Sequence, residues 1–354
     1  MSKYLLIDAN NLCCRHAYSN AGLKNSEQKP TSVHYGFFST LISLKQMFND
    51  YIFLIVWDSK SIRRKTESEE GVRKDIIKTA YKANRIKEEQ PQEILDMYAQ
   101  LPQLKLAIHE AGLCQIKING QEADDIIASY ARLLYHDAER IVCLTSDHDY
   151  YALLNDKVSI YDGMKNKMIT VDSFKEEYNI EPKAWYDIGS FSGDVSDNIP
   201  GVYGVGPVSS LKLVREHGSY KKVLEHLHSQ YNSLRLQYPD IKDPVELNRL
   251  ASIKTDPDKP TSKYRYPEIN IDTPFTGVAL ALEDKKIKKI PKTDLMILLF
   301  EQRVELSYSL KKMDDNIPDL PEIVPQAKDE NKIMQYLEYF EMHSLKEDIK
   351  ILLT

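Results

Sequence analysis

The chain has 354 residues, 42% of them hydrophobic and 28% charged, so it can bury one large or two modest cores and reads as an ordinary soluble globular protein. No apolar run is long enough for a membrane span to be expected, and the N-terminal MSKYLLIDANNL, with too short an apolar run for a signal peptide, reads as passing straight into a strand. The formal charge of −6 argues at first sight against a nucleic-acid partner. Cys13, Cys14, Cys114 and Cys143 lack metal-ligand spacing and read as reduced thiols of a cytoplasmic protein.

In chain order, KYLLID (3–8), FLIVWD (53–58) and IVCLTSDHD (141–149) are short apolar runs that each end in aspartate. Separated by longer helical stretches, they predict a mostly parallel sheet flanked by helices, whose ligand lies beyond the strands' carboxyl ends. Asp8, Asp58, Asp147 and Asp149 fall at that edge. A helix is expected over 31–48, with Val33, Phe37, Phe38, Leu41, Leu44 and Phe48 on one face, and another over 92–111. Between them, 59–90 is charge-rich, broken only by Gly71, and reads as an exposed, partly helical insertion.

From about 181 the pattern changes to helical pieces joined by turn residues, with no strand run. Residues 255–275 are rich in Pro and Thr and read as a connection, and KKIKKIPK (285–292) is a basic run. The stretch 313–330 is acidic and Pro-rich, as in a loop or linker, and a last amphipathic helix is expected at about 331–352.

QEADDIIASYA (121–131) opens a core-like helix with Glu122, Asp124 and Asp125. Alone, these are ordinary first-turn acids favoured by the helix dipole. They are joined by Asp8 and Asp58, by Asp147 and Asp149, which share a side if extended, and by Asp194 and Asp197 in GDVSDN. Each pair by itself fits turn capping. Gathered at one sheet edge, nine acids would repel unless cations neutralised them, and oxygen-only donors select Mg²⁺ or Mn²⁺. Two such ions about 4 Å apart suit phosphodiester hydrolysis. Setting the nine aside moves the formal charge from −6 to +3, which suits a phosphate backbone.

With these residues in view, the chain resembles the 5′ nuclease family: flap endonucleases, phage 5′–3′ exonucleases and the nuclease domain of bacterial DNA polymerase I. The matching stretches run in family order: LLIDANNLCCRHAY, PTSVHYGFFSTL, VWDS, YKANR, GQEADDIIASYA, TSDHDYYALL and GDVSDNIPGVYGVG, with EYFEMHSLKEDIKILL closing the chain. No polymerase region follows, so a free-standing nuclease is expected. The resemblance implies a PIN-like catalytic domain at 1–180 with a helical arch at about 59–90, a helix-hairpin-helix region at 181–260, and a C-terminal extension of wrapping strands and helices at 261–354.

It further implies that Asp8, Asp58, Glu122, Asp124, Asp125, Asp147, Asp149, Asp194 and Asp197 ligate metal. One of the last pair can act through water, and Asp194 is the candidate. Lys82 and Arg85 would stabilise charge at the scissile phosphate, and Tyr81 would stack on the terminal base. Arg15 matches a basic family position, and Lys60, Arg63, Arg64, Lys65, Arg73, Lys74 and Lys78 would line the arch, interrupted by Glu67, Glu69 and Glu70.

Gly201, Gly204 and Gly206 would turn the hairpin so that helix-start amides hold a duplex phosphate, with K⁺ at the same element. The chain departs from the family's Lys-Thr-Ala by placing Val208, Ser209 and Ser210 there. Ser209 or Ser210 can replace the threonine hydroxyl, and Lys212 and Arg215 can supply the missing basic contact. KKIKKIPK either extends the duplex face or ends a solvated helix.

The expected protein is a monomeric, cytoplasmic 5′–3′ exonuclease or flap endonuclease, in a bacterium or a phage-infected host cell, serving replication or repair. It would act on DNA with 5′ ends, flaps or branches, and on RNA/DNA hybrids, with no membrane partner. It would use two Mg²⁺, for which Mn²⁺ can substitute, and leave a 5′-phosphate. No side-chain nucleophile is evident, and alternation points His148 away from the metals. The rivals are a non-catalytic structure-specific DNA-binding protein, a PIN-like ribonuclease and a small-phosphate metalloenzyme.

Overall fold

Apolar runs too short for helices become strands once helices cover both of their faces. A computed structural model describes residues 1–85, 89–238, 275–283 and 290–353. It divides into a first unit of residues 1–63, 85–177 and 313–354 and a second of 64–84 and 178–312.

The first unit carries a six-stranded sheet: β1 (Ser2–Asp8), β2 (Tyr51–Trp57), β3 (Cys114–Lys117), β4 (Ala138–Leu144), β5 (Val158–Asp162) and β6 (Lys167–Ile169). Their order is β3-β2-β1-β4-β5-β6, with only β6 antiparallel. Leu5, Leu6 and Ile7 of β1 are consecutive and wholly buried, the mark of a strand covered on both faces. β2 and β4 flank β1, so the strand order reverses direction beside β1, where open α/β sheets place their ligand crevice. Sequence periodicity did not single out β5 and β6, which are five and three residues long.

Helices α1 (Ala9–Ser19), α2 (Ser32–Met47), α4 (Gln92–Glu110) and α5 (Ala123–Leu134) lie in this unit, while α3 (Ile62–Arg73) and α6 (Val171–Tyr178) run across its boundaries. Phe37, Phe38 and Leu41 of α2 join Leu104 and Ile108 of α4 in the core. The C-terminal segment returns to this core through α13 (Glu330–Tyr339) and α14 (Lys350–Leu353), which bury Ile333, Leu337 and Leu352.

The single terminal helix expected at 331–352 is instead broken. Glu341 turns left-handed (φ 57°) and the amide of Met342 bonds back to the carbonyl of Leu337 at 2.8 Å, a helix-ending arrangement that also buries Met342 and Leu345. Leu337→Ala is expected to cost about 2–5 kcal/mol, because its side chain is wholly buried in the shared core. Urea unfolding of the full chain measures this, and a loss below about 1 kcal/mol would show the tail unfolding separately from the sheet.

His34 of α2 is wholly buried, with its ring 4.0 Å from Phe340 and its Nδ1 bonded to the Tyr336 hydroxyl. Burial pulls its pKa down to about 3, and burial with neighbouring Arg15 pulls His16 down to about 4. The unfolded chain takes up these protons near pH 6.5, so the stability due to neutral histidine is complete above 6.5 and is lost as pH falls toward 3. Replacing His34 with Gln is expected to flatten the stability–pH slope in that window by up to about 1.4 kcal/mol per pH unit, read from urea midpoints between pH 4 and 7.

The second unit is helical: α7 (Trp185–Ser192), α8 (Pro207–His217), α9 (Tyr220–Gln237), α10 (Thr276–Glu283), α11 (Lys292–Leu299) and α12 (Glu301–Lys311). Phe191, Val205, Val214, Val223 and Leu295 to Phe300 form its core. Gly193 and Gly201, both left-handed, bring two backbone segments together, and a Cβ on Gly201 would stand 2.4 Å from the amide of Gly193. Residues 255–274 and 285–289, covering nearly all of the Pro-rich connection and most of the basic run, lie outside the described residues.

Candidate metal centre and nucleic-acid elements

Asp8 ends β1 and caps α1, its Oδ1 accepting the Asn11 amide at 2.9 Å. Its Oδ2 accepts the hydroxyl of Tyr150 at 3.0 Å. Burial, then the nearby Asp58 carboxylate and, more weakly, Asp147, push its pKa up to about 8. Asp58 follows β2 and accepts the Ala123 amide at 2.7 Å, so it caps α5 from a neighbouring strand. That bond brings the end of β2 to the helix that carries Asp124 and Asp125.

Glu122 occupies the N-cap position of α5 without capping it, and one ligand oxygen from each of Glu122, Asp124 and Asp125 lies within 4.8 Å of the others. Two donors to one ion at 2.0–2.5 Å stand at most about 4–5 Å apart, so this triad matches the span of one divalent cation. Asp125 is wholly buried; its Oδ1 accepts the Asp314 amide at 2.7 Å and lies 3.6 Å from Arg63.

Asp147 follows β4 and caps a 3₁₀ turn at His148–Leu153, accepting the amide of Asp149 at 2.9 Å. The extended alternation expected for 147–149 is therefore replaced by a turn. His148 stacks on Tyr151 at 4.8 Å.

Tyr150 is one residue that sequence reasoning missed. It is wholly buried, and burial, then the field of Asp8, Asp124 and Asp147, holds its pKa well above the usual tyrosine value. Asn11 was also missed: its Oδ1 accepts from the amide and hydroxyl of Ser146, tying α1 to the loop after β4. The only signal was position, since both sit within the short segments that hold the acids.

The donor set is carboxylate oxygen throughout, which suits a hard divalent cation. An uncompensated buried carboxyl raised to about 8, facing two more acids, is the electrostatic arrangement a cation relieves. The residues present therefore fit the metal expected.

The remaining predicted residues divide between the units. Asp194, Asp197, Tyr81 and Lys82 belong to the second, and Arg85, exposed, to the first. The Tyr81 hydroxyl lies 3.1 Å and the Lys82 ammonium 3.8 Å from Asp197 Oδ2, with Lys82 also 4.8 Å above the Tyr81 ring. Asp194 Oδ2 takes the ammonium of Lys311 at 2.9 Å; with this pairing and the Ser196 bonds outweighing burial, its carboxyl is lowered to about 2.

Of the basic residues expected at the arch, Arg73, Lys74 and Lys78 are exposed, Lys74 beside Glu70 at 2.6 Å. Arg64 corrects the expectation. Its side chain is 1% exposed and its Nε donates to the Leu310 carbonyl at 2.9 Å, so it packs inside the second unit instead of lining an open arch. Arg15 is half-buried, donating to Thr40 at 3.3 Å.

In the hairpin, Gly201 (φ 57°) and Gly204 (φ 75°) are left-handed, while Gly206 (φ −90°) is not, so its expected turning role is corrected to that of an uncrowded N-cap on α8. Ser210 is buried and its hydroxyl donates to the Gly206 carbonyl at 3.0 Å, which commits it to the helix. Ser209 and Lys212 are exposed, and exposed Arg215 donates to the Tyr178 carbonyl at 2.7 Å.

Residues 3–179 match the family model for the 5′-3′ exonuclease N-terminal resolvase-like domain, and 180–272 that for the 5′-3′ exonuclease C-terminal SAM fold. The chain belongs to the 5′-3′ exonuclease family.

It is 31% identical over 255 residues to the thermostable DNA polymerase I of Thermus thermophilus, across 72% of this chain and 29% of that one. It thus spans under a third of the polymerase relatives it matches. To the 5′-3′ exonuclease of Bacillus subtilis it is 36% identical over 234 residues, 64% of this chain and 74% of that one. A structure of the bacteriophage T5 flap endonuclease, a pseudo-enzyme–product complex with DNA and metal ions, superimposes with a TM-score of 0.52 at 17% identity, covering 99% and 98% of the two chains. That likeness bears on the fold, a mostly parallel sheet flanked by helices. Among the described residues no helix is long and apolar enough to cross a membrane.

Proposed function

We propose that this member of the 5′-3′ exonuclease family hydrolyses DNA phosphodiesters at 5′ ends, flaps or branches, serving replication or repair as a monomer in the cytoplasm. One observation carries the reading: Asp8, Asp58 and Asp147 follow three neighbouring parallel strands, and Asp58 binds the helix start that carries the Glu122–Asp124–Asp125 triad. An acid edge of this kind, with Asp8, Glu122 and Asp125 buried and Asp58 and Asp147 open to solvent, is what a metal-dependent hydrolase needs, and a passive binding module has no use for it.

Asp8, Asp58, Glu122, Asp124, Asp125, Asp147 and Asp149 would hold divalent cations, Mg²⁺ or Mn²⁺, with Asp197 and Asp194 as the second unit's candidates. When bound, two such ions supply Lewis acidity at the phosphate and lower the pKa of an attacking water. The chain's own residues do the rest. Tyr150 fixes the orientation of Asp8 through its hydroxyl, and Asp58 secures the start of α5. Lys82 and Arg85 place positive charge where the phosphate becomes more negative, and Tyr81 offers a stacking face. The open amides at the start of α8, after Gly206 and Pro207, suit a duplex phosphate, with K⁺ as the monovalent cation of the hairpin. Ser209, Lys212 and exposed Arg73, Lys74 and Lys78 extend the basic contacts.

The test is cleavage of a 5′-labelled flap duplex in Mg²⁺ by the wild-type chain, Asp147→Asn and Lys82→Ala. Junction-proximal cutting by the wild type, with both variants slower by about 10²-fold or more while still binding DNA, supports the reading. Binding without cutting in either Mg²⁺ or Mn²⁺ would leave a structure-specific DNA-binding protein. A labelled RNA strand in the same duplex decides whether hybrids are substrates.

A further inference from the structure

We propose that Ser129 is a positioning residue of the metal centre: its hydroxyl holds open the turn at 314–317, and the first amide of that turn orients the carboxylate of Asp125. The inference rests on the metal-binding part of the proposed function.

The segment after Met313 reads in sequence as a linker, but it lies along α5, the helix of the acid triad. Asp125, Ser129 and Arg132 are spaced by four and three residues, so they share one stripe of that helix. Each meets residues 314–317. Asp125 Oδ1 accepts the Asp314 amide at 2.7 Å, and Arg132 donates to the Asn316 side chain. Between them Ser129, only 2% exposed, makes two bonds. Its hydroxyl donates to the Asp314 carbonyl at 2.9 Å and accepts the Ile317 amide at 3.1 Å. A serine inside a helix commonly gives its single proton to the carbonyl four residues back. Here that proton goes to the strap.

The Asp314 carbonyl and the Ile317 amide are the two groups that a four-residue turn would join directly. The Ser129 oxygen stands between them instead and sets their spacing. Within the turn, Asp314 Oδ1 accepts the Asn316 amide at 3.1 Å, which fixes its first half. The Asp314 amide is thereby aimed at Asp125, whose carboxylate is one of three with oxygens within 4.8 Å of one another. A ligand's outer hydrogen bonds set its orientation toward a metal, and their loss typically costs about 10–100-fold in affinity. The strap has anchors besides Ser129. Met313 and Ile317 are buried, and the Tyr130 hydroxyl donates to the Pro321 carbonyl at 2.5 Å. Removing the serine hydroxyl therefore changes the turn and leaves the strap in place.

Mn²⁺ binding by the full chain, followed by calorimetry and electron paramagnetic resonance, reads this apart from cleavage. Ser129→Ala and Tyr130→Phe each delete one buried hydroxyl without changing charge, and melting in chelator compares their stability. Ser129→Ala is expected to weaken Mn²⁺ binding by about tenfold, and Tyr130→Phe to stay within about twofold of the wild type. Ser129→Ala binding Mn²⁺ as tightly as the wild type would overturn the inference and leave the metal-dependent reading in place. Equal losses in the two variants would overturn it too, since the strap would then be a purely structural brace. A wild-type chain that binds no Mn²⁺ would overturn the functional reading and this inference with it. Should Ser129→Ala lack a cooperative melt, Asp314→Pro decides, because it deletes the amide that reaches Asp125 and keeps the serine. Compared with Asp314→Asn, which makes the same charge change, a loss of about tenfold supports the inference and affinity within about twofold overturns it.

Discussion

Asp8→Asn is expected to abolish most cleavage while leaving the fold intact or more stable. Asparagine is as good an N-cap as aspartate, so the bond from the Asn11 amide and the start of α1 survive. Its amide can still meet the Tyr150 hydroxyl. Only the charge is removed, at a position 9% exposed where burial and Asp58 already push the carboxyl up to about 8. In chelator, the melting temperature should equal or exceed that of the wild type, since a buried acid facing other acids has been neutralised. In Mg²⁺ the order should reverse: the wild type gains stability by ligand linkage and the variant gains little. Flap cleavage should fall by about 10²–10³-fold or more. An unchanged Mg²⁺-induced rise in melting temperature, with cleavage within tenfold of the wild type, would remove Asp8 from the metal centre.

Lys82→Ala should slow the chemical step far more than it weakens DNA binding. The residue is left-handed (φ 55°), and its amide donates to the Asp197 carbonyl at 2.9 Å. Alanine carries the same Cβ and keeps that backbone bond, so the cost to stability should stay below about 1 kcal/mol. What is lost is an ammonium that can place charge on a phosphate in the transition state. Single-turnover cleavage should drop by about 10²–10³-fold, with the dissociation constant for a flap duplex rising less than about tenfold. Equal losses in rate and binding would make Lys82 a general DNA contact and remove its catalytic assignment.

The same residues show where sequence reading works and where it stops. The helices at 32–47 and 92–110 were legible because an apolar face repeats along each, a local property of the chain. Asp8, Asp58 and Asp147 were legible because a parallel sheet presents its carboxyl ends together once the strands are identified. Arg64 was misplaced because nothing local distinguishes a buried arginine from its exposed neighbours in a charged insertion. Its burial depends on the carbonyl of Leu310, 246 residues away. The turn at 147–149 replaced an extended strand because Asp147 caps its own chain, and Tyr150 read as one more aromatic until its hydroxyl was seen on Asp8.

What the sequence by itself determined is the sheet-and-helix plan, the family and the identity of the acids, since periodicity, turn chemistry and motif order are written locally along the chain. Only the tertiary structure decided which partners those acids take. Asp58 caps a helix begun 65 residues later, Asp125 meets Asp314, and Asp194 is held by Lys311. Such pairings are chosen by burial, where an unpaired charge costs several kcal/mol and the partner is whichever group the packed fold brings within reach.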